Sequence, residues 1–287
     1  MKLLKFCAIC ALCVTFLSCE KTIVGSENTM RYGNVHLTFE PTNGDMTRGI
    51  DNYFTKLNVQ LFDEEGNKVF STVRTQTKDD EGFGTMSLKL SAGKYTVVAV
   101  GHSSAKSATI KSPEVVQFTA SDGTKLTDTF CACEKIEIDD DGASIQLPMY
   151  RVGAMIQLIL TDSIIPENFS YLRMDYTGGS ANFNPTTFQG ITKSTQSEKR
   201  IANDIMIYQA FTFPYMAKTG TINMTVTATD FEGTMIRQKT IEDIPVTRNR
   251  ITTYKGPLFG EGDGVFSQSD FSFVIHADWD GEDIFEF

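Results

Sequence analysis

The stretch TMSLKLSAGKYTVVAV (Thr85–Val100) alternates apolar and polar residues on both sides of a short break at Ser91–Gly93. Met86, Leu88 and Leu90 share one face, and Tyr95, Val97 and Ala99 share one on the return. A period of two belongs to a strand, because a helix brings residues three and four apart onto one face. The pattern predicts two strands joined as a hairpin. It recurs in NVHLTFE (Asn34–Glu40), in KLNVQLFD (Lys56–Asp63), and in KIEIDDDGASIQL (Lys135–Leu147), which turns at an Asp/Gly cluster. It continues through YRVGAMIQLILTD (Tyr150–Asp162), YLRMDYTGG (Tyr171–Gly179) and DIMIYQAFTFPYM (Asp204–Met216). TINMTVTATDFEGTMIRQKTI (Thr221–Ile241) reads as another hairpin, turning at Asp230–Gly233, and NRITTYKGPLF and DFSFVIHADWD close the chain. Thr, Val, Ile, Phe and Tyr dominate these segments, as suits a pleated, half-buried surface.

Short strands separated by Gly, Asp and Asn turns predict an all-β chain built of β-sandwiches. There are too many strands for one small sandwich. The break is expected at LPMYR (Leu147–Arg151), giving an N-terminal sandwich over 32–149 and a C-terminal one over 150–287. The stretch 19–31 reads as a tether. Pro41–Ile50 reads as a loop, and Thr192–Lys199 as polar, exposed and unstructured.

The N-terminus carries Lys2 and Lys5, then an apolar run from Phe6 to Leu17. About 20 apolar residues are needed to span a bilayer as a helix, and this run is shorter. It reads as a secretory signal occupying residues 1–18. The run ends Phe16-Leu17-Ser18-Cys19, the lipobox pattern of bacterial lipoproteins, in which the Cys thiol takes a diacylglyceryl group and becomes the acylated N-terminus. Cys19 is therefore the expected lipid attachment site. More than one acyl chain on one residue gives stable anchoring where a single chain is marginal.

The formal net charge is −10, and removing the signal with its two lysines takes it to −12. An acidic surface disfavours nucleic acid, which rewards clustered Lys and Arg. It equally disfavours electrostatic docking on anionic lipid, so attachment to a membrane falls to the acyl chains. Of the six Cys, Cys7, Cys10 and Cys13 lie in the signal, which leaves Cys131 and Cys133 besides Cys19. No disulfide framework is expected. The spacing C-A-C differs from the redox motif C-x-x-C, and residues two apart on a strand share a face. Both thiols are expected to face a core.

Catalytic signatures are missing from the sequence. His36, His102 and His276 stand apart from one another and from the Cys. No nucleophile elbow, zinc-helix motif or phosphate loop occurs. DDDG (Asp139–Gly142) and DWDGED (Asp278–Asp283) hold clustered acids but lack the alternation and distal Glu of a calcium loop. A turn accounts for the first, and Trp279 in the second is expected to pack. No metal, cofactor or catalytic residue is expected. Arg48, in GDMTRGID, is a basic residue in a loop-like segment, where proteolytic nicking concentrates.

Taken in order, the lipobox, TRGIDNYFTKLNVQLFDEEGNKV, LSAGKYTVVAVG, YRVGAMIQLIL, IPVTRNRITTYKGPLF and the terminal ADWDGED resemble the fimbrillin superfamily of Bacteroidetes, in its anchor branch of fimbrial lipoproteins. The resemblance covers nearly the whole chain after the signal. It implies two transthyretin-like sandwiches (immunoglobulin-like Greek keys) in tandem and a part in type V pili. In such pili a protease cuts stalk subunits after an Arg, the first strand leaves, and a strand from another subunit fills the groove. Arg48 stands where that cut would fall. The resemblance further implies an uncut, lipid-anchored base or accessory subunit, with fimbrial subunits as partners, located at the outer membrane. A stalk or tip subunit cut after Arg48 is the alternative within the same class. A surface module binding glycan or host protein is a second class. Its candidate loops are Lys106–Pro113 and Thr177–Thr187, the latter with Phe183 and, just beyond it, Phe188. An enzyme is the third class, and the missing motifs speak against it.

Overall fold

A computed structural model describes residues 32–42, 49–119, 124–215, 219–260, 272–275 and 283–285. Cys19, Arg48, His276 and Trp279 lie outside the described residues. The described strands all belong to the unit Tyr32–Phe287. The protein is all-β; the only helical element among the described residues is one turn of 3-10 helix at Ile50–Asn52.

The first half contains β1 (Tyr32–Pro41), β2 (Lys56–Phe62), β3 (Arg74–Thr77), β4 (Thr85–Ser91), β5 (Gly93–His102), β6 (Thr109–Ser112), β7 (Val115–Gln117), β8 (Thr129–Ile138) and β9 (Ala143–Arg151). Seven of them form a continuous sheet in the order β3-β2-β5-β8-β9-β1-β4. β8 and β9 pair only at Phe130 with Arg151 and Cys131 with Tyr150. The sheet therefore turns a corner there and folds into two facing layers. Val35, Leu37 and Phe39 of β1 meet Leu57, Val59 and Leu61 of β2 in one core.

The second half contains β10 (Ala154–Leu160), β11 (Tyr171–Thr177), β12 (Asn182–Asn184), β13 (Gln189–Gly190), β14 (Gln196–Ile201), β15 (Ile207–Thr212), β16 (Thr219–Thr229), β17 (Met235–Thr247), β18 (Ile251–Gly256), β19 (Ser272–Ile275) and β20 (Asp283–Phe285). Its layers are β15-β10-β18-β19-β20 and β14-β11-β16-β17. Ile156 and Leu158 of β10 and Leu172 and Met174 of β11 share a second core. The tandem sandwiches repeat one plan. The first strand of each, β1 or β10, lies between an antiparallel neighbour, β4 or β15, and a parallel one, β9 or β18. The facing layers correspond as β3-β2-β5-β8 and β14-β11-β16-β17.

Two expected hairpins differ. β4 pairs with β1, while β5 pairs with β2 and β8, so Thr85–Val100 passes from one layer to the other. Their apolar faces look at each other across the core, which period-two alternation does not distinguish from lying side by side. Lys135–Leu147 is a hairpin splayed open beyond its corner pairs. The expected hairpin at Thr221–Ile241 forms, as β16 and β17.

A third core joins the halves. β6 and β7 lie between β5 and β8 in sequence; β12 and β13 lie between β11 and β14. Together they make one small sheet, β13-β12-β7-β6. Phe62, Val98, Val100 and Ile110 from the first half pack with Val152, Phe183 and Phe213. This explains why β2 is buried along nearly its whole length on both faces. The segment Thr192–Lys199, expected to be unstructured, is half strand: β14 begins at Gln196 and turns Gln196 and Glu198 inward, 2% and 3% exposed.

Candidate functional site

β1 is formed by YGNVHLTFEP, with Val35, Leu37 and Phe39 turned inward at 2% exposure or less. The strand is held from both sides. Tyr32 to Thr38 run antiparallel to Ser91 to Thr85, and Val35 to Pro41 run parallel to Ala143 to Met149. Burying a Val, a Leu and a Phe contributes about 1.5–3 kcal/mol each, so the three stabilise by roughly 5–9 kcal/mol. β1 is thus a long plug in a slot between β4 and β9. The start of the slot is tight: Gly142 sits at φ 87°, and a Cβ there would lie 2.1 Å from the Asn34 carbonyl oxygen. Beyond β1, Thr42 still donates its N–H to the Met149 carbonyl at 3.0 Å. The next described residue is Gly49, which makes the segment between them, with Arg48, the connection from plug to β2.

The turn Asp139–Gly142 is closed by Gly142 N–H donating to the Asp139 carbonyl at 3.2 Å. The Asp139 carboxylate accepts the Asp141 N–H at 3.2 Å. That acid thus supports the turn anticipated from DDDG. Among the described residues, no group of His, Cys, Asp and Glu side chains is close enough to hold a metal ion.

His102, at the end of β5, is fully buried. Its Nε2 lies 2.8 Å from Asn58 Oδ1, while its Nδ1 accepts the Ser104 N–H at 3.1 Å. Asn58 Oδ1 also accepts the Ala108 N–H at 2.8 Å. Lys56 Nζ donates to the carbonyls of Ser104 (2.8 Å) and Ala105 (2.6 Å). Burial first, and then the Lys56 charge, lowers the imidazole pKa from 6.5 to about 3. A neutral ring protonated on Nε2 donates to Asn58 Oδ1 and accepts the Ser104 N–H on Nδ1, while the Ala108 N–H, 3.2 Å from Nε2, is taken by Asn58 Oδ1; His102 thus organises the turn that leads into the small sheet. His36 is different: it sits on the outer face of β1, 2.9 Å from the Ser87 hydroxyl.

Cys131 and Cys133 share one face of β8, as expected; Cys131 is buried and Cys133 partly so in the third core. Burial raises the pKa of both thiols. They are packing residues, with little thiolate to react.

The loops anticipated as a ligand surface turn their apolar residues inward, while Lys106, Ser107, Thr109 and Lys111 stay exposed. Lys106–Pro113 contains β6, with Ala108 and Ile110 buried. Thr177–Thr187 contains β12, whose Phe183 is fully buried 4.8 Å from the Phe213 ring, and Phe188 packs against the same cluster. Short apolar runs in loops carried no sign that they would meet each other. Polar residues lock the same junction. Arg151 Nε donates to both Asp128 oxygens at 2.9 and 3.0 Å, and its Nη1 to Asn249 Oδ1 at 3.2 Å. Desolvation pushes the Asp128 carboxyl up against the opposing pull of Arg151. Lys125 Nζ donates to Gln196 Oε1 at 2.8 Å, and the Leu126 N–H to Glu198 Oε1 at 3.4 Å. Sequence reasoning missed Arg151, Asp128, Gln196 and Glu198, because polar contacts between distant positions, such as the partly buried Arg151–Asp128 pair, leave no local pattern.

The architecture matches solved structures from Bacteroides species. A proposed adhesin from Bacteroides thetaiotaomicron is similar at a TM-score of 0.53 and 14% identity, covering 87% of this chain and 97% of that one. Proposed polysaccharide-binding proteins from the same species reach 0.54 at 9% identity, covering 88% and 98%. A proposed adhesin from Bacteroides ovatus gives 0.50 at 11% identity, covering 89% and 96%. At such identities the likeness establishes the fold alone. No curated protein matches the chain by sequence. The family model for fimbrillin-A associated anchor proteins Mfa1 and Mfa2, however, matches residues 22–284. Matched over nearly its whole length after the signal-like segment, the chain belongs to the family of fimbrillin-A associated anchor proteins.

Proposed function

We propose that the protein is a non-enzymatic anchor or accessory subunit of a fimbria, held at the outer membrane by lipid on Cys19 and joined to other subunits by strand addition. The observation that carries this reading is the family match over residues 22–284, which places the chain among fimbrial anchor proteins. The described side chains support a mechanical role. His102 and the thiols are committed to packing, and the polar clusters tie halves together. On this reading residues 1–18 are removed, 19–31 tether the lipid to β1, and domains 32–149 and 150–287 project from the membrane as one stiff body.

β1 gives the reading its mechanism. A strand that buries Val35, Leu37 and Phe39 between two neighbours resists a pull along the chain, because its ladders must break together. While Arg48 is uncut, the lipid on Cys19 is coupled through β1 to both sandwiches. A cut after Arg48 would leave β1 held by non-covalent contacts alone, and its departure would open a slot for a partner's strand. That slot supports the alternative of a polymerising stalk or tip subunit. For a glycan or host-protein module, the candidate loops give their apolar residues, Ile110 and Phe183 among them, to the third core and keep polar residues such as Lys106 and Lys111 at the surface.

The test is the intact mass and N-terminus of the protein recovered from native membranes. An acylated Cys19 continuous with Phe287 is expected. A lipid-free chain beginning at Gly49 would refute the anchor and make this a polymerising subunit.

A further inference from the structure

The repeat between the halves exposes a difference. Counting along the parallel ladders, Val35 opposite Ala143 corresponds to Ile156 opposite Thr252, and Leu37 opposite Ile145 to Leu158 opposite Tyr254. Pro148 then corresponds to Pro257, and buried Met149 to buried Leu258. In the second half the outer edge of β18 is occupied: Thr253, Tyr254 and Lys255 pair antiparallel with Val274, Phe273 and Ser272 of β19. In the first half, among the described residues, β9 pairs only with β1 and, at its far end, with β8. Nothing described fills the place of β19.

The side chains differ in part. Tyr254, paired with β19, is 6% exposed, whereas its counterpart Ile145 is only partly buried against its core. Ser144 is exposed, whereas its counterpart Thr253 is buried; Gln146 and its counterpart Lys255 are both exposed. Met149 turns its carbonyl towards β1 and the segment after it. By alternation Ser144 and Gln146 turn theirs outward. Pro148 also faces outward, so its missing N–H costs the β1 ladder nothing, and any added strand must end there. Natural edges are blunted by charge, proline, bulges or a covering segment, and Pro148 blunts only the far end of this one. Residues 143–149, ASIQLPM, carry no charge.

We propose that the outer edge of β9 over Ala143–Leu147 is a docking site for an extended strand of a partner fimbrial subunit, added antiparallel while β1 keeps its place. The partner strand alternates apolar and polar residues, so that its inward side chains cover Ala143 and Ile145. This rests on the fimbrial reading above, but it needs no cut at Arg48 and no emptied slot.

Hydrogen exchange on the full-length protein, isolated and in native fimbriae, tests it. The Ser144 and Gln146 amides are expected to slow by at least about tenfold in the fimbria. Gln146→Pro, which removes one outward donor, is expected to lower recovery of the protein with fimbriae while leaving its melting temperature near that of wild type. Unchanged exchange at both amides, in a protein that remains attached, overturns the edge site and leaves the fimbrial reading intact. Failure to recover wild-type protein with fimbriae overturns both. Protection that appears in the isolated protein as its concentration rises makes the occupant a second copy, which overturns the assignment to a partner. Should Gln146→Pro fail to fold, the wild-type exchange comparison still decides.

Discussion

His102 makes a quantitative demand on the pH dependence of stability. The ring is fully buried, and its pKa in the folded protein is about 3 against 6.5 when exposed. The folded state therefore binds this proton less readily than the unfolded state. Stability from the neutral ring is fully present above about pH 6.5 and is lost as pH falls towards 3. Each unit is worth about 1.4 kcal/mol, so at about pH 4.5, two units below the unfolded value, the penalty is about 3 kcal/mol. Its origin is local. Protonating Nδ1 would set two donors, the new N–H and the Ser104 N–H, against each other at 3.1 Å, near the Lys56 ammonium. His102→Gln keeps a donor for Asn58 and an acceptor for Ser104 but does not titrate. Denaturant unfolding of both proteins at about pH 7.5 and about pH 4.5 cancels the acid response of the carboxylates they share. The wild type should lose about 3 kcal/mol more than the variant over this range. An equal loss in both, or an imidazole that titrates near its ordinary value by NMR, would refute the reasoning.

Other consequences follow from the junction and the plug. Phe183→Ala, in the core shared by both halves, is expected to cost about 3–5 kcal/mol. It should split one calorimetric unfolding transition into two; a single transition shifted without splitting would argue that the halves are coupled elsewhere. Arg151→Ala leaves Asp128, whose side chain is a quarter exposed, without its partner in a site that disfavours its charge, and should cost about 1–3 kcal/mol by urea unfolding. Replacing Arg151 by Met and Asp128 by Leu together should recover most of that loss. Gly142→Ala puts a Cβ into the Asn34 carbonyl and an alanine at φ 87°. It should lower stability by at least about 1–2 kcal/mol, and amide exchange should accelerate first in β1.

The strands themselves were legible. Val35, Leu37 and Phe39, like Leu57, Val59 and Leu61, declare their buried face by spacing alone, since a strand must put alternate residues on opposite sides. Asp139–Gly142 declared its turn, because the short acid and the glycine suit a reversal that bulkier residues would not make. The fimbrial resemblance rested on the order of such segments, and the family match agrees with it. Pairing was less legible. Thr85–Val100 looks the same whether its halves lie side by side or face each other, so the hairpin became a crossover between layers. Polar Thr192–Lys199 concealed β14, because Gln196 and Glu198 are buried by residues from another part of the chain, Lys125 and Leu126.

Alternation and turns, both local properties, determined by themselves that the chain is all-β and that it holds two sandwiches' worth of strands. The tertiary structure alone decided that loops from both halves build a third core, that β1 lies between β4 and β9, and that, among the described residues, the edge of β9 has no strand where that of β18 pairs with β19. Each of these depends on contacts between residues far apart in the chain. Period-two patterning is silent about them, because it fixes which face of a strand is buried and not what buries it.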